Sequence, residues 1–201
     1  MTGKLDLKKT DKAYYGGEAG AWHRVTLPPL RYLALEGHGA PEAPAYSEAL
    51  GALYPLAYKI KFAAKAEGRD FTVPPQSTQW WADDPSAFTQ GRRDEWHWRA
   101  MIRMPDFVDR AMVEAARGAA KPVPRLGEVT LHEVDEGDCF QTLHIGPYAE
   151  EGETLALLHD HLMPGARVTF GAPHHEVYLS DPRRTAPEKL RTILRQSVRP
   201  A

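Results

Sequence analysis

The stretch His174-His175-Glu176-Val177-Tyr178-Leu179 lies between a proline and the turn Ser180-Asp181-Pro182. Its last three residues favour extended structure, and the turn residues on both sides predict a short strand. Because side chains alternate along a strand, His174, Glu176 and Tyr178 share one face, and we expect the opposite face to pack on helices. A carboxylate between an imidazole and a phenol needs water, a hydrogen bond or a ligand to compensate its burial. We expect a ligand.

Two interpretations of Glu176 follow from the sequence. The carboxylate could lie on an exposed strand face or pair with Arg183 or Arg184. Alternatively, it meets a cationic or polarised ligand, or acts as a general base on water. Charge and spacing alone leave both interpretations open.

The composition restricts the class of protein. With 201 residues, of which 42% are hydrophobic, the chain can bury a core as one large domain or as two fused halves. The 25 basic and 27 acidic residues give a formal charge of −2, which argues against direct DNA binding. No apolar run reaches the length of a membrane span, and the N-terminus lacks the apolar core of a signal peptide. The single cysteine, Cys139, excludes an intramolecular disulfide framework and fits a reducing cytoplasm, where we expect the protein.

The first half of the chain predicts a strand, a helix, two strands and a second helix after a polar lead-in. Pro55 lies inside the first helix, where it would cost about 3 kcal/mol or produce a kink, so two shorter helices are the alternative. The second helix is expected to open at Pro105, to turn Phe107, Ala111, Met112 and Ala115 inward, and to end at Gly118. The expected ranges are strands at 30–35, 72–82 and 96–104 and a helix at 46–66 with Leu50, Leu53, Ala57, Ile60 and Ala64 inward.

The second half predicts the same order of elements. Strands at 128–134 and 139–145 lead to a helix whose acidic first turn, Glu150, Glu151 and Glu153, suits the positive end of the helix dipole. That helix places Leu155, Leu158 and Leu162 on one face and ends at Pro164-Gly165. Strands at 167–170 and 174–179 follow. Thr185-x-x-Glu188 then predicts a capping box for a closing helix with Leu190, Ile193 and Leu194 inward.

The two halves therefore repeat a strand-helix-strand-strand order on either side of a proline-containing linker at 119–126. We expect an N-terminal extension at 1–24 and one domain at 25–201, with repeats at about 25–118 and about 126–201. Two such units predict a pseudo-symmetric α+β fold with a ligand cleft between the repeats.

Tryptophans and a tyrosine are the other candidate ligand contacts. Trp80 and Trp81 are adjacent and face opposite ways on a strand, and Trp96 and Trp98 share a face. Core packing accounts for at least one member of each pair. Indoles beside a carboxylate would otherwise form a box for a flat aromatic ring or a cation, with a gain of about 0.5–2 kcal/mol. Tyr148 could donate its hydroxyl to a ligand carbonyl or simply cap a loop.

Metal, nucleotide and serine-hydrolase sites lack their sequence patterns. His159 and His161 point in different directions on a helix, and His174 and His175 diverge on a strand. No His-Glu-x-x-His, cysteine pair or Gly-x-Ser-x-Gly occurs, and Gly37-x-Gly39 is too short a pattern to predict phosphate binding. We expect no metal and no cofactor.

The chain resembles the GyrI-like small-molecule-binding family in its stand-alone form. The resemblance rests on the order and spacing of segments that touch nearly the whole chain from about residue 25. These are Leu35-Glu36-Gly37-x-Gly39-x-Pro41, Ala49-Leu50-x-Ala52-Leu53-Tyr54-x-x-Ala57-Tyr58-x-x-Lys61, Trp80-Trp81, Met101-Ile102-x-Met104-Pro105-Asp106-Phe107, His144-Ile145-Gly146-Pro147-Tyr148, the stretch at 174–182, and Pro187-Glu188-Lys189-Leu190-Arg191-Thr192-Ile193-Leu194-Arg195.

The resemblance implies a pair of strand-helix-strand-strand repeats that hold flat, lipophilic, often cationic compounds in a central cleft. A glutamate matching Glu176 lies in that cleft in related effector-binding domains. Some similar stand-alone members hydrolyse cyclopropane-bearing alkylating compounds. By this resemblance Glu176 would orient or deprotonate water and Tyr148 would hydrogen-bond the carbonyl that takes up charge. Trp80, Trp81, Trp98, Tyr178 and His174 would contact the ligand.

One departure from the family pattern falls in the candidate site. The family carries Pro-Leu-Glu-Gly before its Trp-Trp, whereas this chain has Pro75-Gln76-Ser77-Thr78-Gln79. Ser77 thus stands where the family has a second glutamate. The change leaves open whether the chain is an enzyme or has altered specificity.

Two other functions compete with detoxification of lipophilic aromatic compounds. A non-catalytic interaction module, gyrase-modulating or ligand-sequestering, would have a protein partner or bind ligand without turnover. A structural α+β domain with a collapsed cleft would bind no dye. A self-contained transcription regulator is not expected, because no separate helix-turn-helix segment precedes residue 25.

Overall fold

The structure is a computed structural model that describes residues 3–201. The helices are α1 (Leu7–Thr10), α2 (Lys12–Tyr15), α3 (Pro44–Ala66), α4 (Ser86–Thr89), α5 (Arg110–Gly118), α6 (Glu151–Leu157) and α7 (Met163–Gly165). The strands are β1 (His23–Leu27), β2 (Leu30–His38), β3 (Gln76–Trp81), β4 (His97–Arg103), β5 (Thr130–Val134), β6 (Gly137–Ile145), β7 (Val168–Phe170), β8 (His174–Tyr178) and β9 (Arg191–Pro200). A π-helical turn, Leu158–Leu162, joins α6 to α7, and short 3₁₀ turns occur at Arg93–Glu95, Leu126–Glu128, Tyr148–Glu150 and Pro187–Lys189.

The chain forms two compact units. The first unit contains the described residues up to Thr10 together with Leu30–Val134, and the second contains Asp11–Pro29 together with Asp135–Ala201. The predicted boundary after residue 24 falls inside β1, which belongs to the second unit. No helix of residues 3–201 is both long and apolar enough to cross a membrane.

The first unit is an antiparallel sheet in the order β3-β4-β2-β5 with α3 packed on it. Leu53, Ala57 and Ile60 of α3 are completely buried in one apolar core that also contains the β2 and β4 side chains Leu33 and Trp98. Pro44 occupies the first turn of α3, where its missing N–H removes no helical bond, and the helix continues through Pro55. The predicted helix at 46–66 is therefore confirmed as one helix.

The second unit is an antiparallel sheet in the order β8-β9-β6-β1, and β7 pairs with the end of β9. The central strand β9 is buried from Thr192 to Val198. Phe140, Leu158 and Met163 form a small apolar cluster where the π-helical turn and α7 cover the sheet.

The two units share one internal topology. In the first, β2-α3-β3-β4 gives the sheet order β3-β4-β2; in the second, β6-α6-β8-β9 gives β8-β9-β6. The predicted strand-helix-strand-strand repeat and the α+β fold are confirmed. Each sheet gains a further strand that pairs with the first strand of its repeat: β5 pairs with β2, and β1 with β6.

The predicted closing helix with Leu190, Ile193 and Leu194 inward is wrong. This segment forms β9, preceded by the 3₁₀ turn Pro187–Lys189. Because β9 has strands on both sides, continuous burial replaces the one-sided pattern of a surface helix. The backbone hydrogen bonds to β6 and β8 outweigh the local capping signal.

The predicted start of the second helix at Pro105 is also wrong. The helix α5 begins at Arg110, after Asp109 accepts a hydrogen bond from the backbone N–H of Met112 at 2.8 Å. The new start changes the inward face, which consists of Val113 and Ala116, while Ala111 and Ala115 are exposed.

Candidate functional site

Glu176 lies in the middle of β8 with 15% of its side chain exposed. The Tyr178 hydroxyl donates to its Oε2 at 2.7 Å, and Nε2 of His174 lies 3.5 Å from its Oε1. Strand alternation therefore brings together the three residues that the sequence placed on one face. Arg183, one of the two arginines considered as a partner of Glu176, donates to Asp181.

Tyr148 joins this cluster from the turn that precedes α6. Gly146 has φ +144°, a conformation that favours glycine, and the chain then passes through Pro147 into the 3₁₀ turn that carries Tyr148. The rings of Tyr148 and Tyr178 meet edge-to-face with centroids 5.6 Å apart. Burial raises the pKa of Tyr148 to about 12, and the charges of Glu151 and Glu176 add to this shift. The phenol stays protonated and can donate a hydrogen bond.

Glu151 is a site residue that the sequence analysis missed. It lies in the first turn of α6 and is only 5% exposed. Burial raises the pKa of Glu151 to about 9, the charge of Glu176 adds to the shift, and the Thr192 hydroxyl opposes it. Among residues 3–201, no partner completes a hydrogen bond of normal geometry to Oε1 of Glu151 or to Oγ1 of Thr192. Glu151 is therefore a neutral acid at pH 7 whose oxygen is left for a ligand or water.

Helical spacing contained a signal for Glu151. It precedes Leu155, Leu158 and Leu162 by four, seven and eleven residues, so it lies on their stripe rather than on the solvent side. The run of three acidic residues obscured this phase, because acidic side chains at a helix N-terminus are expected in solvent.

Two histidines extend the polar cluster away from Glu176. Both ring nitrogens of His174 and Nε2 of His159 are buried, and no partner among the described residues hydrogen-bonds to them. His159 lies in the π-helical turn, a type of distortion that is frequent at functional sites. Burial lowers the pKa of His159, and His174 lowers it further. Burial at this position therefore disfavours the charged form of His159.

The predicted ligand contacts in the first unit lie in different surroundings. Trp98 is fully buried, packs against Tyr46 at 5.2 Å, and leaves no room for a side chain on Gly37. Trp80 is 6% exposed and stacks on Tyr46 at 5.5 Å. Both therefore belong to the core of the first unit, in line with the core interpretation made for one tryptophan of each pair.

Trp81 and Ser77 lie on strand β3 of the first unit. Trp81 is partly exposed and stacks on His97, with ring centroids 5.6 Å apart. The guanidinium of Arg99 lies 5.8 Å from its ring. Ser77 is 1% exposed, and its hydroxyl has no hydrogen-bond partner among the described residues. Contact of either residue with a ligand stays a prediction.

We also searched the described residues for a metal site and for other grooves. No group of three or more His, Cys, Asp or Glu side chains within residues 3–201 could hold a metal ion. An open groove of about 730 Å³ in the second unit runs along the start of α6 beside Leu143, Glu150 and Glu153. Glu176, Glu151 and Tyr178 do not line it, so this groove is separate from the carboxylate cluster.

Comparison with known proteins identifies the family of the chain. The sequence profile of a GyrI-like small-molecule-binding domain matches residues 23–196. The chain belongs to the GyrI-like family. No curated protein gives a significant match.

Several solved structures resemble the chain over most of its length. An uncharacterized conserved protein from Listeria innocua is 36% identical, with a TM-score of 0.90 over 98% of this chain and 100% of its own. Two structures from Listeria innocua described as hydrolases are each 34% identical over the same shares, with TM-scores of 0.82 and 0.85. The C-terminal domain of EcmrR is 10% identical with a TM-score of 0.59 over 90% of this chain and 98% of its own, which shows the fold alone.

Proposed function

We propose that this GyrI-like protein binds flat, lipophilic aromatic or cationic small molecules and hydrolyses those that carry a strained ring, which protects the cell from alkylation. The observation that carries the proposal is the presence of two carboxyl groups in different environments, Glu151 buried and Glu176 half-buried. Glu176 accepts a hydrogen bond from Tyr178, whereas Glu151 is held neutral by burial and by the charge of Glu176. One group can accept a proton while the other donates one.

Glu176 is the general base in this proposal. Its carboxylate removes a proton from water, and the water oxygen forms a bond to a ring carbon while the strained carbon–carbon bond breaks. The electron pair of that bond moves into the conjugated carbonyl of the substrate. The Tyr178 hydrogen bond occupies Oε2, so the proton is accepted at Oε1, which lies 3.5 Å from Nε2 of His174.

Tyr148 and Glu151 handle the charge that develops on the carbonyl oxygen. Tyr148 remains a phenol with a pKa of about 12 and stabilises the oxyanion as a hydrogen-bond donor. Glu151 supplies the proton that replaces the one taken by Glu176, so the product is the substrate plus one water. Proton exchange with solvent returns both carboxyl groups to their starting forms.

Similarity to known proteins supports hydrolysis as the reaction type. The two Listeria innocua proteins described as hydrolases are 34% identical to this chain and covered over their full length. Ser77 is the feature that favours the second candidate, a ligand-sequestering protein, because the second glutamate of the family pattern is missing there.

The experiment that tests the proposal uses a cyclopropane-fused cyclohexadienone as substrate and mass spectrometry to detect the added water. We expect turnover by the wild type and a loss of about a hundredfold or more in kcat for Glu176→Gln and for Glu151→Gln. Glu150→Gln is the matched control, because Glu150 is exposed on the neighbouring turn. Full turnover in Glu151→Gln would show that Glu151 is not the proton donor. Binding of the substrate without any product in the wild type would favour sequestration.

A further inference from the structure

The back face of the site sheet carries a row of buried polar side chains. His175 of β8 lies directly opposite Arg195 of β9, which in turn lies opposite Gln141 of β6. All three side chains are completely buried. His175 and Glu176 are consecutive, so this row lies directly behind the candidate site.

An ion pair closes the row at one end. Glu136, which is 4% exposed, places Oε1 2.8 Å from Nδ1 of His175 and accepts a hydrogen bond from Nη1 of Arg195 at 3.0 Å through Oε2. The same guanidinium donates from Nε to the Gln141 side-chain oxygen at 2.7 Å. Buried ion pairs add little net stability, but removing one partner of such a pair is strongly destabilising.

The N-terminal segment covers this row. Arg195 donates from Nη2 to the backbone oxygen of Tyr14 at 2.7 Å, and its guanidinium lies 4.2 Å from the Tyr14 ring. Gln141 donates to the backbone oxygens of Ala13 at 3.0 Å and Gly16 at 2.7 Å. The carbonyl groups at the C-terminal end of α2 thus satisfy the buried donors of two strands. The family profile matches only from residue 23, so this segment lies before it.

Strand register connects the row to the site. Side chains alternate along β8, so a shift of one residue would exchange His175 and Glu176 between the two faces. Such a shift would remove His175 from Glu136, so a buried hydrogen bond would be lost while Glu136 kept only Arg195 as its partner. The contact of His175 with Glu136 therefore favours the register that keeps Glu176 on the site face.

We propose that the segment Asp11–Gly16 is a positioning element for Glu176, acting through Gln141 and Arg195. The inference rests on the proposed function, because it assigns a role in the same site. Gly16 is the sharpest place to test it: a Cβ there would lie 2.3 Å from the backbone oxygen of Lys12, so alanine displaces the end of α2. Gln141→Met removes the side-chain amide and retains the volume and the apolar contacts.

The test is a double-mutant cycle in the full chain. Gly16→Ala and Gln141→Met are each combined with Glu176→Gln, and kcat, KM and the Kd of ethidium, a flat aromatic cation, are measured. We expect each segment variant to lower kcat about tenfold or more with KM changed less than about threefold. We expect no further loss when Glu176 is already glutamine, since the segment acts through that carboxylate. Gln90→Met, an exposed position in the first unit, is the control and should change nothing.

The outcomes separate the two proposals. A wild type without turnover and without ethidium binding overturns the proposed function and, with it, this role. A working wild type with additive losses shows that the segment contributes only stability and overturns the positioning role alone. If Gln141→Met does not fold, as judged by near-ultraviolet circular dichroism, Tyr14→Leu replaces it in the cycle, because it keeps the backbone carbonyl and removes only the ring. Additive losses of kcat in that cycle would likewise overturn the positioning role.

Discussion

Glu151 shows how a single side chain can lower stability in order to supply chemistry. A carboxyl group that is 5% exposed and lacks a complete hydrogen bond at Oε1 cannot ionise cheaply, so it stays protonated. The unfolded chain has no such restriction. Folding therefore holds a proton on Glu151 over a pH range in which the unfolded chain releases it.

This difference predicts a pH-dependent stability. The pKa of Glu151 is raised from 4.5 to about 9, so its contribution to the free energy of unfolding is complete below about pH 4.5 and is lost as the pH rises to about 9. Within this window each pH unit costs about 1.4 kcal/mol. Glu151→Gln avoids the loss, so its free energy of unfolding in urea should exceed that of the wild type increasingly from pH 5 to pH 8.

Glu150→Gln supplies the comparison for the same measurement, because Glu150 is exposed. Its difference from the wild type should not depend on pH. A constant difference for Glu151→Gln as well would mean that Glu151 ionises normally in the folded protein and cannot serve as the acid.

At the scale of elements, the sequence predicted the helices and strands that are marked by a local pattern. It did not predict an element whose conformation is decided by pairing with distant strands. The stripe on α3 and the alternation on β8 are local patterns, and both the helix and the cluster of Glu176 with Tyr178 follow from them. Leu190, Ile193 and Leu194 stand at helical spacing, but the segment from Arg191 onward is the central strand β9. Neighbouring strands from other parts of the chain override such propensity.

The same limit applies to the back of the site. Arg195 looks like a solvent-exposed charge in the sequence, yet it is completely buried against Glu136 and Tyr14, which lie 59 and 181 positions away. No spacing rule relates residues so distant in a single sequence. The front face of β8 was therefore predictable, and the network behind it was not.

Helix α3 carries a testable cost of its own. Pro55 removes the helical hydrogen bond to the carbonyl of Gly51, and its ring crowds the same carbonyl. Pro55→Ala restores this hydrogen bond. Alanine also gives the unfolded chain more conformational freedom than proline does, and this offsets about 0.4–1 kcal/mol of the gain in stability. We expect a net increase of about 2 kcal/mol in the free energy of unfolding, measured by urea denaturation.

Gly51→Ala is the matched control for this helix. A Cβ at Gly51 meets no atom within 4 Å, so alanine should add only about 0.5–1 kcal/mol of helix propensity. A Pro55→Ala protein that is less stable than the wild type would mean that Pro55 is required for the packing of α3 on its sheet.

On the scale of the whole molecule, the second unit is assembled from distant parts of the chain. Strand β1 pairs with β6 through contacts such as Val25 to Cys139, and α2 is held by Gln141. Such long-range contacts slow folding, because the intervening chain must be ordered before they form. The second unit therefore cannot form until Asp11–Pro29 and Asp135–Ala201 have come together.

Cys139 provides a chemical reporter of this assembly. The thiol is completely buried in β6, and burial raises its pKa to about 12, so reagents reach it only when the second unit opens. A ligand that binds the closed unit reduces the open population by the factor 1 + [L]/Kd. Ethidium at about a hundred times its Kd should therefore slow labelling by 5,5′-dithiobis(2-nitrobenzoic acid) about a hundredfold.

The Glu176→Gln variant provides the comparison. Its protection from labelling should weaken in proportion to its lower affinity for ethidium. A wild type that ethidium stabilises against heat while Cys139 labelling keeps its original rate would place the bound cation away from the second unit, and Glu176 would lose its role as the ligand's counter-charge.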